Sequence, residues 1–317
     1  MINQVLFLGQ DHGYSALKDS SNNCFISSVL EGKKLAVASD DTVEVKIGEK
    51  YYTITNQGKK LAGINKVRSE IDREIIKVLT LASIYKSSFE HVDDVQCNLC
   101  VGLPIQYYNQ QCETFEQYIK SACDNQIVSV NGGKEKLITI KNITTIPQAS
   151  GMPFLYEEEF KDIPNSVVID FGHYTIDVSF YSFMDLEDVY ASMPNGTKDI
   201  FGKLSRRLNE TFDIDINEKD IERVLQKGYI KDMDGETHDL SVLDSLEDNY
   251  IYDIITSLKA EYRQIGQADK VYIIGGGAIP FKKYIKKYIK NDVVFVENPR
   301  FANAYSFYKV AQLSFNN

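Results

Sequence analysis

Two carboxylates stand two residues ahead of a glycine where an apolar run ends: Asp11 in LGQDHGYSALK and Asp170 in VIDFGHYTIDV. A third apolar run, VYIIGGGAIPF, ends directly on Gly275, Gly276 and Gly277. Each suits one part of a nucleotide. Glycine lets the backbone come close to phosphate oxygens, and successive N–H groups in a tight turn make an anion nest. A carboxylate beside phosphates repels them unless a cation intervenes. Asp11 and Asp170 therefore make sense as outer partners of a hydrated Mg2+, which keeps most of its waters. Lys18, beyond the first glycine, offers a point charge for a phosphate. A triple glycine after a strand lets the chain pass under a flat base or ribose, where a side chain would clash. Taken singly, each turn reads equally well as a hairpin or a strand-to-helix loop, since Asp and Gly are ordinary turn residues.

The elements that must position these turns alternate between strands and helices. Val5–Gln10 and Tyr14–Lys18 read as a hairpin around the first turn, and residues 35–55 as further strands turned at Asp40-Asp41 and Gly48-Glu49. Val67, Ile71, Ile75, Val78, Leu79 and Ala82 recur at helical spacing. Then come a strand over Val95–Gly102, a helix near Glu113–Cys123, a hairpin turned at 131–134, and a short helix from Pro147. The second half starts over. Strands at Val167–Asp170 and Thr175–Tyr181 lead into helices near Lys198–Phe212, Glu218–Lys227 and Leu240–Ile265. The glycine strand, a lysine-rich helix, the strand VVFV and a last helix over 300–314 follow. Both halves open alike: apolar strand, D-x-G, second strand.

At 317 residues, two domains or lobes are expected. With 43% hydrophobic and 25% charged residues the composition is that of a globular protein. No apolar run approaches the ~18 residues that span a bilayer. The start, MINQVLFLGQD, reads as a core strand rather than a secretory signal, so a cytoplasmic location is expected. A net charge of −10 argues against an extensive direct grip on DNA, which needs clustered Lys and Arg. The CNLC of Cys97 and Cys100 lies on a strand, where residues three apart point to opposite faces, so buried structural thiols are expected rather than a metal pair.

In this combination and order, the three turns resemble those of the actin-like ATPase superfamily, which includes actin, chaperone ATPases and sugar kinases. The resemblance implies an α/β fold of two related lobes with ribonuclease-H-like cores around a nucleotide cleft. Lobe I would be 1–160 with 300–317, and lobe II 161–299. It implies a first phosphate loop of Asp11, Gly13, Tyr14, Ser15 and Lys18, and a second of Asp170, Gly172, His173, Tyr174 and Thr175. Gly275, Gly276, Gly277 and Ala278 would form the adenosine motif. SMPNGTKDIFGKL resembles the family's glycine turn into a helix facing the phosphates, which adds Gly196 and Thr197. VGLPIQYYNQQCETFEQYI and the ending VYIIGGGAIPFKKYIKKYI…VVFVENPRFANAYSFYKVA look like plasmid-partitioning actins of the ParM type. Two departures stand out. Tyr14 follows the first D-x-G where many relatives carry a small residue, and His173-Tyr174 stand where a second glycine often follows. These side chains either narrow the phosphate pocket, or Tyr14 points into a wall and His173 to solvent.

The implied cofactors are ATP, with GTP as the alternative, and Mg2+ held through water by Asp11 and Asp170, with Asp177 a further candidate that equally suits pairing within its lobe. Phosphoryl transfer to water needs a positioned water and charge stabilisation. The family's segment joining the lobes supplies a Gln or Glu for this; TTIPQASGM puts Gln148 there, acting with Asp170. A glutamine orients water but is a poor base, which suits slow hydrolysis. The competing reading has Gln148 capping a helix that begins at Pro147. The resemblance implies an ATPase that polymerises with itself into filaments destabilised by hydrolysis, and plasmid segregation through a DNA-binding adaptor. A small-molecule kinase of the same fold and a membrane-linked division actin are the alternatives. The first needs a carboxylate base facing a substrate hydroxyl; the second needs a terminal anchor, for which FYKVAQLSFNN is too polar, so no membrane contact is expected.

Three other features invite a site. His91 and His238 show no acidic or cysteine companions at ligand spacing, and Glu157–Glu159 read as a solvated face. FKKYIKKYIKND sets Phe281, Tyr284, Ile285, Tyr288 and Ile289 against Lys282, Lys283, Lys286, Lys287 and Lys290. Such a helix suits a membrane or nucleic acid. Because it follows the glycine strand directly, core packing with a solvated basic back is preferred. That basic back could also meet an acidic neighbouring subunit.

Overall fold

The computed structural model describes residues 2–32, 42–61 and 70–316. The strand expected over 35–41, with its Asp40-Asp41 turn, and Val67 of the expected helix lie outside the described residues. The chain divides into two compact units, Met1–Tyr156 with Phe301–Asn317, and Glu157–Arg300.

In the first unit the chain runs through β1 (Asn3–His12), β2 (Ala16–Asp19), β3 (Cys24–Ile26), β4 (Ser28–Glu31), β5 (Val43–Ile47), β6 (Lys50–Ile54) and β7 (Lys59–Lys60). Then come α1 (Glu70–Ser87), β8 (Asp94–Leu103), α2 (Tyr108–Cys123), β9 (Gln126–Val130), β10 (Lys136–Pro147) and α3 (Met152–Leu155). The second unit opens with α4 (Glu157–Asp162), β11 (Asn165–Phe171), β12 (Ile176–Ser182) and β13 (Asp185–Met193). It continues through α5 (Thr197–Phe212), α6 (Ile221–Lys227), β14 (Tyr229–Lys231), β15 (Thr237–Asp239), α7 (Asp244–Glu261) and α8 (Gln264–Gln267). It closes with β16 (Lys270–Ile274), α9 (Lys282–Tyr288) and β17 (Asp292–Phe295), and α10 (Ala302–Phe315) returns to the first unit.

The doubled opening legible in the sequence is a doubled topology. The first sheet contains the order β3-β2-β1-β8-β10, and the second is β13-β12-β11-β16-β17. In both, the first three strands form an antiparallel meander, and the last two join the first strand in parallel. Parallel neighbours need crossover helices, and those cover the sheet faces. The first unit extends its sheet with β9, β5, β6, β4 and β7.

Strand β8 shows how sequence dictates layering. Cys97, Leu99 and Val101 are buried with Ile75, Val78, Leu79 and Ala82 of α1, whereas Cys100 packs with Phe307, Val310 and Ala311 of α10. The two thiols of CNLC are thus buried on opposite faces, and neither forms a disulfide. Small residues let α10 come close. A Cβ on Gly9 would lie 2.1 Å from the Ala304 carbonyl oxygen, and one on Gly102 would lie 2.4 Å from the Phe307 ring. In the second unit, Phe281, Ile285 and Ile289 of the lysine-rich segment are buried in the core while its lysines are exposed, as core packing requires.

Several elements differ from the sequence reading. β13 stands where no strand was expected, because only its end (Ala191, Met193) reaches the core and Asp185–Tyr190 lacks a clean alternation. No helix begins at Pro147: the chain turns through Ala149 at φ +64°, and α3 starts at Met152. Glu159 is no solvated bystander. It accepts hydrogen bonds from Lys270 Nζ at 2.6 Å and the Tyr272 hydroxyl at 3.0 Å, tying α4 to β16. His238 does have acidic company: its Nε2 lies 2.7 Å from Asp232 Oδ2, with Glu236 nearby. A short hairpin, β14–β15, creates that proximity, and linear spacing did not reveal it.

Candidate functional site

The first turn is built by the β1–β2 ladder. Asp11 sits opposite Lys18, and their side chains meet at 3.2 Å. The other carboxylate oxygen accepts a hydrogen bond from Gln148 Nε2 at 2.8 Å. Asp11 is 4% exposed, so one buried carboxylate is shared between an ammonium and an amide. Gln148 therefore caps no helix; it reaches across from the end of β10. Its backbone N–H donates to the Leu103 carbonyl at 2.7 Å, and the next N–H, of Ala149, donates to Asn303 Oδ1 of α10 at 3.0 Å. Gly13 has no room for a side chain: a Cβ would lie 2.8 Å from the Ala16 carbonyl oxygen and 3.2 Å from Lys18 Nζ. The Ser27 hydroxyl donates to the Gly13 carbonyl at 2.6 Å, closing the turn from β3's side. Ser15 lies in the same turn, and its carbonyl accepts from Ser27 N at 3.0 Å. Tyr14 packs its ring against the first unit's core.

The second turn repeats the first with one exchange. Asp170 sits opposite Asp177 in the β11–β12 ladder, the register positions that Asp11 and Lys18 hold in β1–β2. Both carboxylates are nearly buried, at 8% and 4% exposed. Like charges directly opposite each other in a ladder are destabilising. An oxygen-only pair in that position fits a hydrated divalent cation, whereas Asp11, already engaged by Lys18 and Gln148, fits it less well. Thr175 Oγ1 donates to Asp177 Oδ2 at 2.8 Å, and Gly172 N donates to the Thr175 carbonyl at 2.9 Å. Helix α5 then docks on the turn. The N–H groups of Gly196, Thr197 and Lys198 donate to the carbonyls of Tyr174, Gly172 and His173 at 3.1, 3.1 and 2.9 Å. A Cβ on Gly196 would lie 2.5 Å from the His173 backbone, so glycine is what lets the helix seat there. Gly196 and Thr197 thus shape the turn through their backbones. His173 is half-buried, with its ring 4.9 Å from Tyr174 and 6.5 Å from Phe201 rather than directed to solvent.

The three glycines after β16 have different reasons. Gly275 adopts φ +87°, and a Cβ there would lie 2.3 Å from Asp170 Oδ1. On Gly277 it would lie 2.5 Å from Thr197 Cγ2 and 2.7 Å from the Phe171 carbonyl oxygen. Those two glycines allow the loop to sit against the second turn. Gly276 alone has ordinary room, its nearest neighbour being Arg300 Nε at 3.4 Å. Ala278 is buried and ends the single 3-10 turn that follows.

The sequence reading missed two supports. Asn303 fixes the backbone beside Gln148. Asp19, fully buried, accepts bonds from Ser83 Oγ at 2.6 Å and from Asn23 N and Ser21 N at 3.0 and 2.9 Å, pinning the end of β2 to α1. Burial pushes its carboxyl up despite these donors. The run DSSNN carries a signal for it, because Asp side chains commonly cap the backbone of such turns.

A repeated five-strand core with an acidic glycine turn after its first strand defines the actin-like class of α/β proteins. Two family models match the chain in tandem: the N-terminal domain of actin-like proteins over residues 9–151, and the C-terminal domain of archaeal MreB-like actin homologues over 168–287. The chain belongs to the actin-like ATPase superfamily. Among solved structures it is similar to Ta0583, an archaeal actin homologue, with 16% identity and a TM-score of 0.78 over 99% of this chain and 100% of that one. A 15-stranded ParM filament from Clostridium botulinum gives 19% and 0.77 over the same shares, and the Alp12 filament 21% and 0.72, again over 99% and 100%. No curated protein matches the sequence.

Proposed function

We propose that the chain binds and hydrolyses ATP, assembles with itself into filaments in a nucleotide-dependent way, and uses that cycle to segregate plasmid DNA through a DNA-binding adaptor. The observation that carries the reading is the shared carboxylate of Asp11, bonded at once to Lys18 and Gln148. A cation for a phosphate and an amide for the attacking water are held in fixed relation by one buried acid. Preorganised groups of this kind need no reorganisation at the moment of reaction. The nests at Gly13 and Gly172 would receive phosphate oxygens, and the backbone at Gly276 the adenosine. Mg2+, held through water by Asp170 and Asp177, would neutralise charge on the transferred phosphoryl group. Gln148 orients water without removing its proton, which gives slow turnover suited to a timer on filament lifetime. The 15-stranded ParM filament and the Alp12 filament among its structural relatives support self-assembly, and the complex of Ta0583 with ADP supports nucleotide binding. A net charge of −10 agrees with leaving DNA to an adaptor.

Light scattering with phosphate release tests this. On adding ATP and Mg2+, scattering should rise and then decay as phosphate appears, with GTP run in parallel. Gln148→Ala should slow phosphate release about 10- to 100-fold and prolong the plateau, with nucleotide affinity changed by less than about threefold. Turnover that depends on an added sugar or metabolite, with no assembly at any protein concentration, would replace this reading with a small-molecule kinase.

A further inference from the structure

The second unit's sheet has two edges of opposite character. At one edge lies β13, which pairs only with β12 among the described residues. In and just before it, Phe183, Leu186, Val189 and Tyr190 are 46%, 39%, 39% and 41% exposed. These are four of the fifteen large hydrophobics exposed among the described residues, so the apolar surface is concentrated here. The same stretch carries Asp185, Glu187 and Asp188 and no cation. A strand edge offers a row of unpaired N–H and C=O groups, and lysine or proline commonly blunts it; this one has neither.

At the opposite edge lie β17 and, beside it, α9. Lys282, Lys283, Lys286, Lys287 and Lys290 are all exposed. Lys283 and Lys287 are each held at 2.7 Å by Asp244 and Asp248 of α7. Lys282 and Lys286 instead lie over the Phe295 ring of β17, at 4.9 and 5.6 Å, and form no ion pair among the described residues. Asp292, the acid of β17, is 3.8 Å from Lys270. The edges are four strand spacings apart, roughly 19 Å at ~4.8 Å per strand.

We infer that the acidic, apolar β13 edge of one copy docks on the basic α9–β17 edge of the next. The inference rests on the filament reading and names the surfaces that would carry it. Two different patches on opposite edges of one sheet leave one of each unused at the ends, so the contact repeats along an open line instead of closing into a pair. The apolar side chains supply the desolvated area, while Asp185 and Asp188 set against Lys282 and Lys286 fix partner and direction.

Sedimentation with excess ATP and Mg2+ decides it, using three variants: Asp185→Lys with Asp188→Lys, Lys282→Glu with Lys286→Glu, and all four together. Each pair should raise the critical concentration about tenfold or more, and the fourfold exchange should bring it back to within about threefold. Nucleotide affinity and circular dichroism should stay unchanged in all three. If the unaltered chain polymerises and both pairs do so within about twofold of it, the edge-to-edge contact is wrong and the filament reading survives. If the unaltered chain binds nucleotide but never sediments, the filament reading falls and the contact with it.

Discussion

Glycine at two positions of the triple turn is a packing requirement, and at the third a Cβ has ordinary room. That difference predicts opposite outcomes for neighbouring substitutions. Gly275→Ala must place a methyl group 2.3 Å from Asp170 Oδ1 at a φ of +87°, so it should cost about 2–4 kcal/mol and displace the acid of the second turn. Gly276→Ala should cost less than about 1 kcal/mol in denaturant unfolding yet weaken nucleotide binding about tenfold or more, because its loss would fall on the ligand. Equal stability losses at the two positions would overturn this assignment. At this scale the sequence showed residue types well and relations poorly. The D-x-G pairs, Lys18 and the glycines are legible as letters. The bond from Gln148 to Asp11 joins residues 137 apart in the chain and needs the fold to be seen. Asp177 was ambiguous for the same reason: only strand register shows that it takes the place Lys18 has in the first turn.

Elements with strong periodicity declared themselves. α1, α10 and the strands flanking the three turns lie within a few residues of where apolar spacing put them, because each buries a full face. β13 and β14–β15 did not, being short or mostly exposed. Helix α4 is an instructive case, since EEE reads as solvent-facing until β16 comes alongside. The bond from Lys270 Nζ, then that from Tyr272, holds the Glu159 carboxyl below its ordinary range. Its contribution to stability is therefore complete above the ordinary carboxylate value near 4.5 and is lost as pH falls through the lower folded-state value. Glu159→Gln should destabilise the chain by about 0.5–1 kcal/mol at pH 7. The gap from the unaltered chain should shrink towards zero as pH falls through and below that lowered folded-state value. Parallel stability curves over that acid range would show that the α4–β16 tie carries no ionic component.

At the scale of the whole molecule, the two units share a topology and a turn but differ in charge at the matched site: Asp11 with Lys18 in one, Asp170 with Asp177 in the other. The first turn is neutralised internally; the second carries two nearly buried carboxylates in register. On the proposed reading, the duplicated fold is divided into a turn whose acid is already paired by Lys18 and a turn whose two acids would hold the cation through water, and that cation should matter to the stability of the entire chain. Ligand at about 100 times its dissociation constant adds roughly 2.7 kcal/mol to folding, which in domains of this size is a rise of roughly 5–10 °C in Tm. ATP with Mg2+ should produce a shift of that order, and ATP with EDTA only a small part of it. Asp177→Asn removes one of the two like charges, so without nucleotide it should be as stable as the unaltered chain or more so, by up to about 1 kcal/mol. With ATP it should lose most of the Mg2+-dependent part of the shift. A variant that is destabilised without ligand yet keeps the full Mg2+-dependent rise would show that Asp177 serves its own ladder and that the cation is held elsewhere.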